Sequence, residues 1–189
     1  MILAFVGQVK LVAAIPIALA ITFMIFSQRE RGEGFGELGF RLDNFAPAIR
    51  LLIIPTVGAV ILILAVAWFS RRNHFALAPL RLRFLGLFFW ALFQQYALQS
   101  FINHRAQMIF GKGIKSVLLV GLIFGLLHLP NPMLTALTVV GGIVWAAIYQ
   151  RRPNLYALAL SHAILSLTLA LCLTQDLVYN LRVGWKYFG

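Results

Sequence analysis

Apolar residues fill long stretches of this chain, and polar residues are confined to the gaps between them. The apolar runs are Leu11–Phe26, Ile49–Phe69, Phe84–Phe101, Ile114–Leu129, Met133–Tyr149 and Leu155–Leu173. A helix needs about 20 apolar residues to cross the hydrocarbon core of a bilayer. Several runs fall short of that. The first reaches back to Ile2 if Lys10 snorkels or faces protein. The fourth and fifth are separated only by Pro130-Asn131-Pro132, a tight helix–helix turn. The pattern predicts an all-α fold, a polytopic transmembrane helical bundle of about six helices. A single membrane domain is expected over residues 1–189.

Composition sharpens this picture. The chain is 61% hydrophobic and 11% charged, against about 45–50% and about 25% in soluble domains. An ordinary soluble domain, a disordered chain and a disulfide scaffold are all excluded. Sixteen Lys+Arg against five Asp+Glu give a net charge of +11. The cations sit between the apolar runs, at Arg71-Arg72, Arg81 and Arg83, Lys112 and Lys115, and Arg151-Arg152. Charge so placed anchors helix ends to anionic headgroups. The expected partner is therefore the lipid bilayer, and no nucleic acid is expected. An even helix number puts both termini on one side. Basic residues are shared almost equally between the two sides, so the positive-inside rule assigns no orientation.

The longest polar segment, Ser27–Asn44, carries four of the five acids and reads as an exposed loop with an interfacial stretch at Phe35–Phe40. The first run lacks a small-x-small cleavage site and reads as a retained helix. Gly121 and Gly125, with Gly141-Gly142 in the next run, suit close packing of membrane helices. His74 and His104 fall in basic interhelical loops. Trp68, Trp90, Trp145, Trp185 and Tyr149 are explained mostly by an aromatic belt. Cys172 lies in an apolar run and reads as a small core hydrophobe.

Polar side chains at membrane depth are costly, and so are candidates for function. Gln94 and Gln95 are adjacent in the third run, and Gln99 follows one helical turn after Gln95. His128 ends the fourth run. His162 lies inside the sixth, with Ser166 one turn on and on the same face. Three glutamines and two histidines from three helices are a candidate lining for one polar cavity.

Two of these residues sit in recognisable contexts. His128 belongs to Phe124-Gly125-Leu126-Leu127-His128-Leu129-Pro130-Asn131-Pro132. His162 belongs to Leu160-Ser161-His162-Ala163, downstream of Tyr149-Gln150-Arg151-Arg152-Pro153-Asn154-Leu155. The order and spacing resemble the second and third motifs of the CPBP family, the CAAX-protease and bacteriocin-processing membrane proteins also called Abi proteins. The resemblant core spans 84–173. It implies an integral protein of the bacterial inner membrane and the chemistry of a CAAX-type intramembrane endopeptidase.

The family's first motif is a Glu-Glu pair, three residues, then Arg. The matching positions here are Gln94, Gln95 and Gln99. The family's third motif carries Asn or Asp four residues after its histidine, where this chain has Ser166. The family's first glutamate is thought to activate a water, and a general base must ionise, which glutamine does not. No metal is expected, since His128 and His162 are two ligands where catalytic zinc takes about three. Asp176 lies beyond the sixth run, and the other acids are in the first loop. Ser166 with His162 is the best remaining nucleophile–base pair.

The expected function is a CPBP-like membrane protein, catalytically silenced, that binds a membrane-protein partner as an accessory or scaffold subunit. One alternative is an active CAAX-type endopeptidase with altered catalytic residues. Another is a pigment- or haem-binding subunit with His128 and His162 as non-covalent ligands.

Overall fold

The computed structural model describes residues 2–69, 80–173 and 178–188, and the side chains from Ile15 onward except 80–83, 180, 185 and 186. His74, Asp176, Arg71 and Arg72, and the side chains of Lys10, Arg81, Arg83, Trp185 and Lys186, lie outside the described residues. The elements in order are α1 (Ile2–Glu30), α2 (Phe45–Phe69), α3 (Leu80–Gln95), a π-helical segment (Tyr96–Asn103), α4 (His104–Phe110), α5 (Ile114–Leu126), α6 (Pro132–Arg151) and α7 (Leu155–Cys172). Short 3₁₀ turns follow at Tyr179–Leu181 and Gly184–Tyr187. No strand occurs among the described residues. The segments α3, π and α4 run without a break, so the helical rods among the described residues match the count the hydropathy predicts.

The chain forms two compact units, Met1–Gly34 and Phe35–Gly189. The first is α1 with its short exit. Ile17, Leu19 and Phe23 on it are exposed. A helix that shows such side chains outward suits hydrocarbon, not water.

In the second unit α2, α6 and α7 are each long and apolar enough to cross a membrane, with mean hydropathies of 2.6, 1.7 and 1.9. Helix α7 receives both α2 and α3, while α5 pairs with α6. Small residues make this possible. Ala157, Ala159 and Ala163 on α7 are wholly buried, and small side chains let membrane helices approach closely. The α5–α6 contact rests on glycines. A Cβ on Gly121 would lie 2.5 Å from Ile143 Cγ1, and one on Gly142 would lie 2.9 Å from Gly121 Cα. The spaced glycines are therefore packing residues, as the sequence suggests.

Two asparagines start helices. Asn131 Oδ1 accepts from the Leu134 N–H at 3.1 Å and caps α6, with Pro132 just inside. Asn154 Oδ1 accepts from the Ala157 N–H at 2.9 Å and caps α7.

Three expectations need correction. The Ser27–Asn44 segment is not simply an exposed loop. Helix α1 extends to Glu30, and Phe35–Asn44 forms a strap fastened to the α6–α7 junction. The Leu155 N–H donates to Gly39 O at 2.9 Å, and Asn154 Nδ2 donates to Asn44 Oδ1 at 2.7 Å. Gly39 has φ +90°, and a Cβ there would meet Tyr149 Cε2 at 3.0 Å, so only glycine fits. Second, Trp145 and Tyr149 are buried core residues, 5% and 3% exposed, because α6 is covered where they sit. Trp68 and Trp90 are exposed, as a belt requires. Third, His104 opens α4 and is not in a loop. The rod continues past the apolar run because buried amides, described next, replace apolar side chains on its inner face.

Candidate functional site

The rod from α3 through the π segment to α4 presents Gln95, Gln99, Asn103 and Gln107 at four-residue intervals. Four residues of α-helix overshoot a full revolution by about 40°. A π-turn has i→i+5 hydrogen bonds and more residues per revolution, so four residues fall short of one. The His104 N–H reaches back to Gln99 O in this way. Mixing the two geometries cancels the drift and holds the polar positions on one face. Gln95, Gln99 and Asn103 are all 0% exposed.

Gln95 reaches across to α7. Its Nε2 lies 3.3 Å from His162 Nδ1. With Nδ1 accepting, the neutral ring carries its proton on Nε2. The His162 ring stacks on Trp145, centroids 4.6 Å apart, and meets the Phe124 ring edge-on at 5.7 Å. Trp145 is itself fixed, since its Nε1–H donates to Ser161 Oγ at 3.1 Å and that hydroxyl lies 2.8 Å from Thr56 Oγ1. Helices α2, α3, α5, α6 and α7 thus all hold this one imidazole.

His128 lies in the turn after α5. Its Nδ1–H donates to Phe124 O at 2.8 Å, which leaves the Nε2 lone pair available. The spacing of the Phe-x-x-x-His motif is what sets this bond. The residue whose carbonyl orients His128 also packs its ring against both imidazoles, at 4.7 Å from His128.

A second polar group surrounds Asn103. Its Nδ2 donates to Gln99 Oε1 at 2.8 Å, and its Oδ1 accepts from Gln150 Nε2 at 3.0 Å and Gln107 Nε2 at 3.2 Å. Gln150 Nε2 also donates to Ser116 Oγ at 2.9 Å. This network joins α4, α5 and α6 through neutral amides. Two buried atoms stand outside it, Gln95 Oε1 and Gln99 Nε2, each without a hydrogen-bond partner.

The glutamines and histidines singled out from sequence therefore fall into two neighbouring groups and not one ring. Gln95, His162 and His128 gather around Phe124. Gln99 belongs with Asn103. Gln94 is half-buried one residue along from Gln95. Ser166 is half-buried one turn beyond His162 and makes no hydrogen bond to it. Sequence reasoning missed Asn103, Gln107, Gln150, Ser116, Ser161, Thr56 and the burial of Trp145. The four-residue ladder from Gln95 to Gln107 was the available signal. Among the described residues no group of three or more His, Cys, Asp or Glu is placed to hold a metal.

Residues 4–168 match the family described as type II CAAX prenyl endopeptidase Rce1-like. The chain belongs to that family. No curated protein and no solved structure matches it. Membership of the Rce1-like family, together with the long apolar helices, makes this a CAAX-protease-like integral membrane protein. In this Rce1-like chain the histidine motifs meet across α5, α6 and α7, and the rod facing them carries neutral amides.

Proposed function

We propose that this Rce1-like protein binds and does not cleave, serving as an accessory or scaffold subunit of a membrane complex. The observation that carries the reading is the residue opposite His162. It is Gln95, an amide that cannot ionise, wholly buried and within 3.3 Å of the ring. Gln94 and Gln99 are amides too. Activation of water needs a group that takes a proton, and the rod supplies none at these positions. Neutral amides also cost far less at membrane depth than ions do. The family background is our reason for proposing a bacterial inner-membrane location with both termini on one side.

One observation favours a second reading, an active endopeptidase. His128 Nδ1 is tied to Phe124 O, which leaves Nε2 poised as a base. Two measurements on one gentle detergent preparation separate these readings. Silencing predicts a stoichiometric partner in the subunit masses and no cleavage of a prenylated CAAX peptide. Cleavage that is lost in His128→Ala overturns it.

A further inference from the structure

The α4–α5 turn and the end of α6 are joined by Gln150. Its Oε1 accepts from the Gly113 N–H at 2.9 Å, and its Nε2 donates to Ser116 Oγ at 2.9 Å. Lys112 and Lys115 flank Gly113, while Arg151 and Arg152 directly follow Gln150. The contact therefore gathers two lysines and two arginines, distant in sequence, at one end of the unit. All four are exposed. None forms an ion pair within the described residues; the salt bridge on the adjoining strap joins Arg41 to Asp43.

The surroundings set the depth. Ile109 and Phe110 at the end of α4 and Ile114 at the start of α5, close in sequence to the lysines, are 73%, 50% and 66% exposed. Apolar side chains beside unpaired cations are the pattern of the headgroup boundary, where stems lie in hydrocarbon and charges reach out. Each basic pair alone would be ordinary flanking charge. The Gln150 bridge, continued to buried Asn103 at 3.0 Å, holds them as one cationic notch.

We propose that this notch binds the phosphate of an acidic phospholipid headgroup, with the acyl chains lying along Ile109, Phe110 and Ile114. Arginine forks suit phosphate oxygens, and lysines add point charge. Inorganic phosphate shares the headgroup chemistry but has no chains to cover the apolar residues. The proposal goes beyond the binding role above and holds whether or not the chain cleaves peptides.

The test uses the full chain in a neutral detergent, titrated at constant ionic strength with dihexanoylphosphatidylglycerol, dihexanoylphosphatidylcholine and inorganic phosphate. Phosphatidylglycerol is expected to bind roughly tenfold or more tighter than the other two. K112Q/R151Q is expected to lose roughly 25-fold, at about fivefold per cation removed. R182Q removes a charge at the opposite end of α6, where Arg182 O accepts from Asn131 Nδ2, and is expected to stay within about twofold. K115Q/R152Q, from the same notch, should repeat the first loss, so the outcome does not hang on the folding of one variant. Equal binding of the two lipids, equal loss in the notch and control variants, or phosphate binding as tight as phosphatidylglycerol would each overturn the proposal.

Discussion

Gln95 on α3 and His162 on α7 meet across the helix interface, amide nitrogen to ring Nδ1, at 3.3 Å. They are 67 residues apart in sequence, and each is buried by helices that neither belongs to. The contact is a neutral hydrogen bond, which can orient a ring but cannot relay charge.

Replacing Gln95 by Leu keeps the volume and removes the partner of His162 Nδ1. A buried nitrogen left unsatisfied costs about 1–3 kcal/mol. Thermal or denaturant unfolding in detergent should show that loss, and Q95L/H162F should recover part of it. An unchanged melting point in Q95L would mean that the pair contributes nothing.

Restoring charge tests the electrostatic logic of the rod. Gln95→Glu puts a carboxylate at a 0% exposed position, where an unpaired charge is expensive. Gln99→Arg, one turn away, supplies a counter-ion. Each single variant should be less stable than the parent. A double-mutant cycle should give a favourable coupling of about 0.5–3 kcal/mol. Additive losses would show that the two positions do not face one another.

The glycines divide into tight and open sites. A Cβ at Gly142 meets Gly121 Cα at 2.9 Å, whereas one at Gly58 finds nothing within 4 Å. Gly142→Ala should cost about 1–3 kcal/mol by forcing α5 from α6. Gly58→Ala should be neutral or slightly stabilising. Equal melting points for the two variants would contradict the packing described.

Asn154 serves two elements at once. It caps α7 and donates to Arg41 O at 2.7 Å on the strap. Asn154→Ala removes both, at about 1–3 kcal/mol. It should also make Phe35–Asn44 accessible to limited proteolysis. Asn154→Asp keeps the cap acceptor and loses the donors, so it should retain the helix while still freeing the strap. Protease resistance in both variants would place the strap's anchorage elsewhere.

The strap has a small pH dependence of known sign. The hydrogen bond from Arg41 holds the Asp43 carboxyl below the usual carboxylate range. Its contribution is fully present above that range and is lost as pH falls through the depressed value. The pair is solvent-exposed, so the effect should be slight. A melting-point profile taken downward from neutral pH should fall marginally more for the parent than for Asp43→Asn. Identical profiles would show that the pair contributes nothing.

Much of this was legible in the chain itself. A bilayer is required by 61% hydrophobic residues with cations between the runs, because no soluble domain hides so much apolar surface. The rods follow from run length, and the α5–α6 seam from Gly121, Gly125 and Gly142. The Phe-x-x-x-His spacing was legible too, since Phe124 and His128 stand one turn apart and that spacing makes their bond. What the chain alone left open depends on contacts between distant segments. Nothing local says that Gln95 selects His162 while Gln99 turns to Asn103, or that Trp145 stacks on an imidazole instead of sitting at the interface. Nor does local pattern show that a polar strap folds back onto Asn154. Hydropathy reports a residue's preference for water or hydrocarbon. It carries no information on which buried amide finds which partner, and that choice is made only when the helices close and bring distant side chains within reach of one another.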